Sequence, residues 1–219
     1  MDKLKDYLLS RTKDNLLPWS VQQRASNLFD MTYAEVEENA LQMGILPVRY
    51  KRNRQTISTE QQLCLFRSRV AVIGCGGLGG YIIEGLVRLG VGCILAADPD
   101  VFEEHNLNRQ ILCSIDVIGR PKVEVAVERA AKINPAVDVI PITDKVTGEN
   151  RELLKGINAV VDALDSIDGR LKLAGLCREL EIPFIHGSIA GWYGQIATQF
   201  PGDDTIEKIF ARFTKGTGV

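Results

Sequence analysis

The stretch RVAVIGCGGLGGYIIEGLVRLGVGCILAADPD, residues 69–100, decides the fold of this chain. It opens on Val70-Ala71-Val72-Ile73, a continuous apolar run of the kind carried by a strand buried on both faces. Gly74, Gly76 and Gly79 then form G-x-G-x-x-G. In such a turn the first glycine permits the sharp reversal, the second lets backbone approach a phosphate, and the third lets the following helix lie close to the strand. Gly77 sits beside Gly76 where the new helix points its first amides at a bound anion. A second apolar strand ends at Asp98, about 20 residues on, where an acid accepts ribose hydroxyl hydrogens. Strand, glycine turn, helix, strand and acid together read as a nucleotide site.

From Arg69 onward the pattern alternates. Strands are expected at 69–73, 92–97, 137–142, 158–163, 183–187 and 194–200, and helices at 78–90, 121–133, 149–155 and 167–180. Apolar strands separated by helices imply an α/β fold, a doubly wound, mostly parallel Rossmann-like sheet with helices on both faces. Residues 1–57 differ in texture. Leu4, Tyr7, Leu8 and Arg11 suggest a short amphipathic helix broken near Pro18. Thr32-Tyr33-Ala34-Glu35 resembles a capping box, opening a helix that ends near Met43-Gly44. The basic run from Val48 to Gln55 reads as a solvated linker, and Ser58 gives a second capping signal. The chain thus divides into a helical N-terminal extension with a basic linker, 1–57, and a nucleotide-binding domain, 58–219. The tail from Pro201 shows no closing element.

Bulk properties exclude several classes. A chain of 219 residues, 45% hydrophobic and 25% charged, is ordinary globular material. Its net charge of −2 disfavours bulk electrostatic binding to nucleic acid. No apolar run approaches the roughly 18–20 residues of a membrane helix, and the start, MDKLKDYLLSRTKDN, is too charged for a secretory signal. A cytoplasmic location is expected. The five cysteines are scattered without a C-x-x-C pair, so no zinc knuckle or disulfide framework is signalled and no zinc is expected. His105 and His186 are the only histidines, too few for a His-based metal site or triad.

The segment after Asp98 narrows the chemistry. Asn106 and Arg109, three apart, face the same way on one helical turn. Pro121 and Lys122 open a helix, and a lysine there opposes the helix dipole unless an anion is shared. Asp165 falls past the carboxyl end of a strand, where ligands of open α/β sheets bind, or it caps the helix beginning near Ser166. A nicotinamide-dependent oxidoreductase explains the glycine turn and Asp98 but leaves Asn106, Arg109 and Lys122 without work. Cys75, at a helix N-terminus, has either a lowered pKa or a filling role, and Cys177 reads as core.

GCGGLGG, Asp98, the Asn-Leu-x-Arg-Gln of Asn106 to Gln110, Gly119-x-x-Lys122, Asn134-Pro135, and Asp165 with Arg170 stand in this order over residues 50–202. In that they resemble the ThiF/MoeB/HesA family, relatives of the ubiquitin-activating enzymes. The resemblance implies an adenylyltransferase that uses ATP and Mg2+ to activate the C-terminal carboxylate of a small ubiquitin-like sulfur-carrier protein ending in Gly-Gly. It implies that the glycine turn lines the adenylate pocket and Asp98 holds the ribose. Asn106, Arg109 and Lys122 would grip phosphate oxygens, and Asp165 would hold magnesium. It further implies a homodimer in which Arg54 reaches into the partner's nucleotide site. Departures stand beside it. The family's zinc-binding C-x-x-C pairs are missing, no cysteine follows Cys177, Ser166 replaces a common asparagine, and His186 replaces a small residue, ending a strand or shaping the acceptor channel. On this reading ATP raises the melting temperature and NAD does not; the reverse order in a thermal-shift titration selects the oxidoreductase.

Overall fold

The computed structural model describes residues 2–206 and 208; the tail beyond lies outside the described residues. The described residues contain eight strands: β1 (Leu16–Leu17), β2 (Leu46–Pro47), β3 (Arg69–Ile73), β4 (Cys93–Ala97), β5 (Asp138–Ile142), β6 (Ala159–Asp162), β7 (Phe184–Ala190) and β8 (Tyr193–Gln199). The α-helices are α1 (Asp2–Leu9), α2 (Trp19–Phe29), α3 (Tyr33–Gln42), α4 (Thr59–Arg67), α5 (Gly79–Leu89), α6 (Lys122–Ile133) and α7 (Ile167–Glu179). The main sheet has six strands in the order β5-β4-β3-β6-β7-β8, all parallel except β8, which pairs antiparallel with β7. The chain runs outward from β3 on one side through β4 and β5, and on the other through β6 and β7. That reversal opens a crevice at the carboxyl ends of β3 and β6, where doubly wound sheets bind ligands.

Alternation along β3 builds both layers. Val72 joins Ile83, Val87, Val123 and Ala126 of α5 and α6 on one face. Ala71 and Ile73 join Leu173, Leu176 and Cys177 of α7 on the other. The central strands are therefore apolar along their middle residues, as the sequence suggests. The expected helix at 149–155 is instead a 3-10 segment, Gly148–Leu154, broken at Asn150. The Asn150 side chain accepts from the Thr147 amide at 2.7 Å and donates to the Lys145 carbonyl at 2.9 Å. Those bonds compete with α-helical ones.

The N-terminal residues form their own small core of Leu4, Leu8, Leu17, Ala25, Val36, Ala40 and Ile45. Both capping boxes are present, Thr32 with Glu35 and Ser58 with Gln61. Helix α2 was not foreseen, because its buried face includes Gln22, a residue whose polarity hides the apolar stripe. Gln22 is spoken for: it donates to Glu37 at 3.0 Å and accepts from Arg49 at 2.7 Å. Arg49 also pairs with Glu37, and the Tyr50 hydroxyl donates to Glu37 at 2.8 Å while accepting from Asn134 at 2.6 Å. Burial and the neighbouring Glu37 carboxylate push the Tyr50 phenol upward, so it stays a donor. The basic run Val48–Gln55 is thus a 3-10 helix with Tyr50 fully buried against the sheet domain. Gly90 marks the closeness of approach, since a Cβ there would stand 2.4 Å from the Tyr50 oxygen.

Tyr50→Phe removes two buried hydrogen bonds, and the expected loss is about 1–3 kcal/mol in urea unfolding. An unchanged midpoint would show that this network contributes nothing net to docking the N-terminal helices.

Candidate nucleotide site

The glycine turn owes its shape to steric exclusion. Gly74 has φ +98°, and a Cβ on it would stand 2.6 Å from the Ala163 carbonyl oxygen. A Cβ on Gly79 would stand 1.8 Å from the Gly74 oxygen, so α5 can meet β3 only with glycine there. The Gly80 amide donates to the Gly76 carbonyl at 3.0 Å, which places the first, internally unsatisfied amides of the helix at the turn itself. Gly74, Gly76 and Gly77 line a cavity of about 890 Å³ at the carboxyl ends of β3, β4 and β6.

Asp98 is buried at the end of β4 and fixes this turn. Its Oδ2 accepts from the Cys75 amide at 2.7 Å, and Oδ1 accepts from the Asp100 amide at 2.9 Å. Lys122 comes from the first turn of α6 and is itself only 6% exposed. Its Nζ donates to Asp100 at 3.0 Å and lies 3.8 Å from Asp98. A buried ammonium at a helix N-terminus is costly, and the two carboxylates offset that cost. The Asp100 side chain is mostly exposed, so that partner is exchangeable for another anion.

Arg109 also lines the cavity, with its guanidinium resting on the His105 carbonyl at 2.9 Å and the Asn108 side chain at 3.1 Å. Asp165 is exposed on the same wall, directly after Leu164. Ser166, not Asp165, caps α7 by accepting from Gly169 at 3.3 Å, which leaves the Asp165 carboxylate uncommitted to the helix. Asn106 is not among the lining residues; it is buried and its Oδ1 accepts from the Glu103 amide at 3.0 Å, holding the loop that carries Arg109. Gly79 likewise acts behind the wall. Arg54 does not line the cavity of its own chain; it donates to the carbonyls of Asp14 and Asn15 at 2.9 and 3.2 Å.

Some wall residues were not anticipated. Gln110 is buried beside Gly76, and its Oε1 has no hydrogen-bond partner. The loop Asp144 to Gly148 after β5 and the α7 residues Asp168 and Lys172 close the far side. Nothing in their local sequence marks them, because tertiary placement at the sheet's carboxyl edge is what makes them lining. The thiol of Cys75 is pushed up by burial and by the Asp98 charge, so of its two readings the filling role holds: burial outweighs the helix N-terminus. Cys177 lies in the core, its thiol pushed up to about 12 by burial. His186 does not end a strand; it sits within β7, fully buried, with Nδ1 at 2.6 Å from Asp162.

A nucleoside triphosphate fits this donor set. The glycine turn leaves room where side chains would block, Asp98 keeps acceptor capacity for hydroxyls, and Lys122 and Arg109 supply cations. Among the described residues no three His, Cys, Asp or Glu side chains cluster as a metal cage. A magnesium ion at Asp165 would take its other oxygens from phosphates and water, as this cation commonly does. Among the described residues no helix is long and apolar enough to cross a membrane.

The chain is 39% identical over 165 residues to the SAMP-activating enzyme E1 of Haloferax volcanii, covering 74% of this chain and 61% of that one. It is 38% identical over 159 residues to the sulfur carrier protein ThiS adenylyltransferase of Bacillus subtilis, covering 70% and 47%. The structure resembles that of tRNA N6-threonylcarbamoyladenosine dehydratase from E. coli in complex with ATP, with TM-score 0.63 and 32% identity over 66% of this chain and 61% of that one. The chain therefore spans about half to three-fifths of the length of these relatives. The ThiF family model matches residues 50–217, a span that includes the glycine turn and all six strands of the main sheet, and this chain belongs to the ThiF family.

Proposed function

We propose that this chain is an ATP-dependent adenylyltransferase that activates the C-terminal carboxylate of a small ubiquitin-like sulfur-carrier protein ending in Gly-Gly, with release of pyrophosphate. The observation that carries the reading is Lys122, a buried cation held against Asp98 and Asp100 on the wall below the open glycine turn. The relatives named as activating a sulfur carrier or SAMP favour a protein tail as acceptor.

The reaction is the attack of one anion on another. A terminal carboxylate has a pKa near 3.5 and is already ionised at neutral pH, so no general base is needed. Charge neutralisation and alignment are needed instead. Asp98 accepts the ribose hydroxyls, fixing the nucleoside at the end of β4. Lys122 exchanges Asp100 for phosphate oxygens, and Arg109 leaves the His105 carbonyl to do the same. Asp165 would hold a magnesium ion, which when bound would supply further positive charge to the triphosphate. The scarcity of histidine suits this chemistry, which moves no proton at the reacting carboxylate.

The enzyme works as a homodimer in the cytoplasm, with Arg54 completing the partner's site, and residues 1–57 form its helical extension. The ATP-bound E. coli dehydratase favours a second reading, in which the activated group belongs to a modified tRNA base. Both readings use the same pocket and differ in acceptor.

ATP–pyrophosphate exchange separates them. Exchange is expected with a Gly-Gly-terminated carrier and magnesium. Lys122→Ala is expected to lower it by about 10²–10³-fold, the loss typical of one oxyanion donor. Exchange supported only by threonylcarbamoyl-modified tRNA selects the second reading, and absence of exchange with either acceptor overturns both.

A further inference from the structure

A buried cluster behind the cavity wall has no part in the chemistry above. Asp162 is the last residue of β6 and is wholly buried. Its Oδ2 lies 2.6 Å from Nδ1 of His186, its register partner on β7, and 3.8 Å from Nε of Arg170 on α7. Its Oδ1 accepts the Leu164 amide at 2.9 Å. Arg170 in turn donates from Nε to the Leu164 carbonyl at 2.9 Å. Leu164 is thus gripped at both its amide and its carbonyl by side chains from two elements, and the next residue is Asp165.

A turn after a strand has no ladder of its own, and its residues gain direction only from such fixed contacts. A buried acid is also an expensive way to hold a turn, since Asp162 needs both His186 and Arg170 to stay paired. A neutral cap would satisfy the same amide.

We infer that Asp162 and Arg170 are positioning residues that aim the Asp165 carboxylate into the cavity, with His186 orienting Asp162. The inference rests on the reading of Asp165 as part of the nucleotide site. Through this clamp β7, the strand carrying His186, is joined by side-chain contacts to the nucleotide wall. The Leu164 peptide is the link between Asp162 and Asp165.

A double-mutant cycle tests the clamp against a merely structural role. Asp162→Asn, Arg170→Lys and Asp165→Ala are measured singly and in pairs, by calorimetric affinity for ATP with magnesium and by exchange rate, with melting temperatures alongside. Asp162→Asn is expected to weaken each readout by about 10–100-fold, the usual cost of an outer-shell partner. Arg170→Lys, which keeps one donor, is expected to lose less. In the Asp165→Ala background neither change adds a further loss, because the clamp has nothing left to aim. Losses that multiply in that background overturn the inference, as do Asp162→Asn and Arg170→Lys proteins that bind ATP like wild type. Where Asp162→Asn fails to fold, the Arg170→Lys cycle decides alone. Wild-type protein that binds ATP but exchanges with no acceptor would count against the proposed function, while the affinity cycle still judges the clamp.

Discussion

One buried carboxylate holds the nucleotide wall together. Asp98 bonds the Cys75 amide inside the glycine turn, the Asp100 amide in its own loop, and lies beside Lys122 at the start of α6. Three pieces of chain distant in sequence are fixed to one group at the carboxyl edge of the sheet. Without an acceptor at this point, the buried Cys75 amide inside the turn after β3 would lose its hydrogen-bond partner. A burial this complete is tolerable because each oxygen has an N–H partner and an ammonium stands close by.

On the proposed function, the same arrangement supplies the positive charge that a triphosphate requires. Lys122 opposes the dipole of α6, a small penalty that acids offset in the absence of nucleotide. Of its two acids, Asp98 is enclosed and Asp100 is open to solvent. The enclosed one keeps the lysine in place, and the open one is the partner a phosphate can displace. Arg109 follows the same logic, since it rests on a neutral carbonyl and an asparagine and holds no carboxylate. Both cations are parked where release is cheap.

Much of this was legible in the sequence because the local signals and the global fold agree. The apolar runs at β3, β4 and β6 can only be strands covered on both faces, and G-x-G-x-x-G after the first of them names the crevice. Asp98 and Lys122 stand at the ends of elements, Arg109 was singled out by its spacing from Asn106, and Asp165 by its place past a strand's carboxyl end; all four line the cavity. What stayed hidden had no periodic or terminal signature. Helix α2 buries Gln22 against Glu37, and no local pattern joins that pair to Tyr50 and Asn134 until the chain is folded. Asn106 carries the family's motif but spends its carbonyl on the loop. Asp162 was passed over for Asp165 because the two carboxylates stand close together at the end of one strand and just past it, and only the fold shows that Asp162 pairs with His186 while Asp165 lines the cavity.

A crystal structure of the protein with ATP and magnesium tests the central claim most directly. The account predicts a ribose hydroxyl within hydrogen-bond reach of Asp98, the Lys122 ammonium shifted from Asp100 onto a phosphate oxygen, and Arg109 turned from the His105 carbonyl to the triphosphate. A nucleotide bound with its phosphates in open solvent, and with Lys122 still on Asp100, would contradict it.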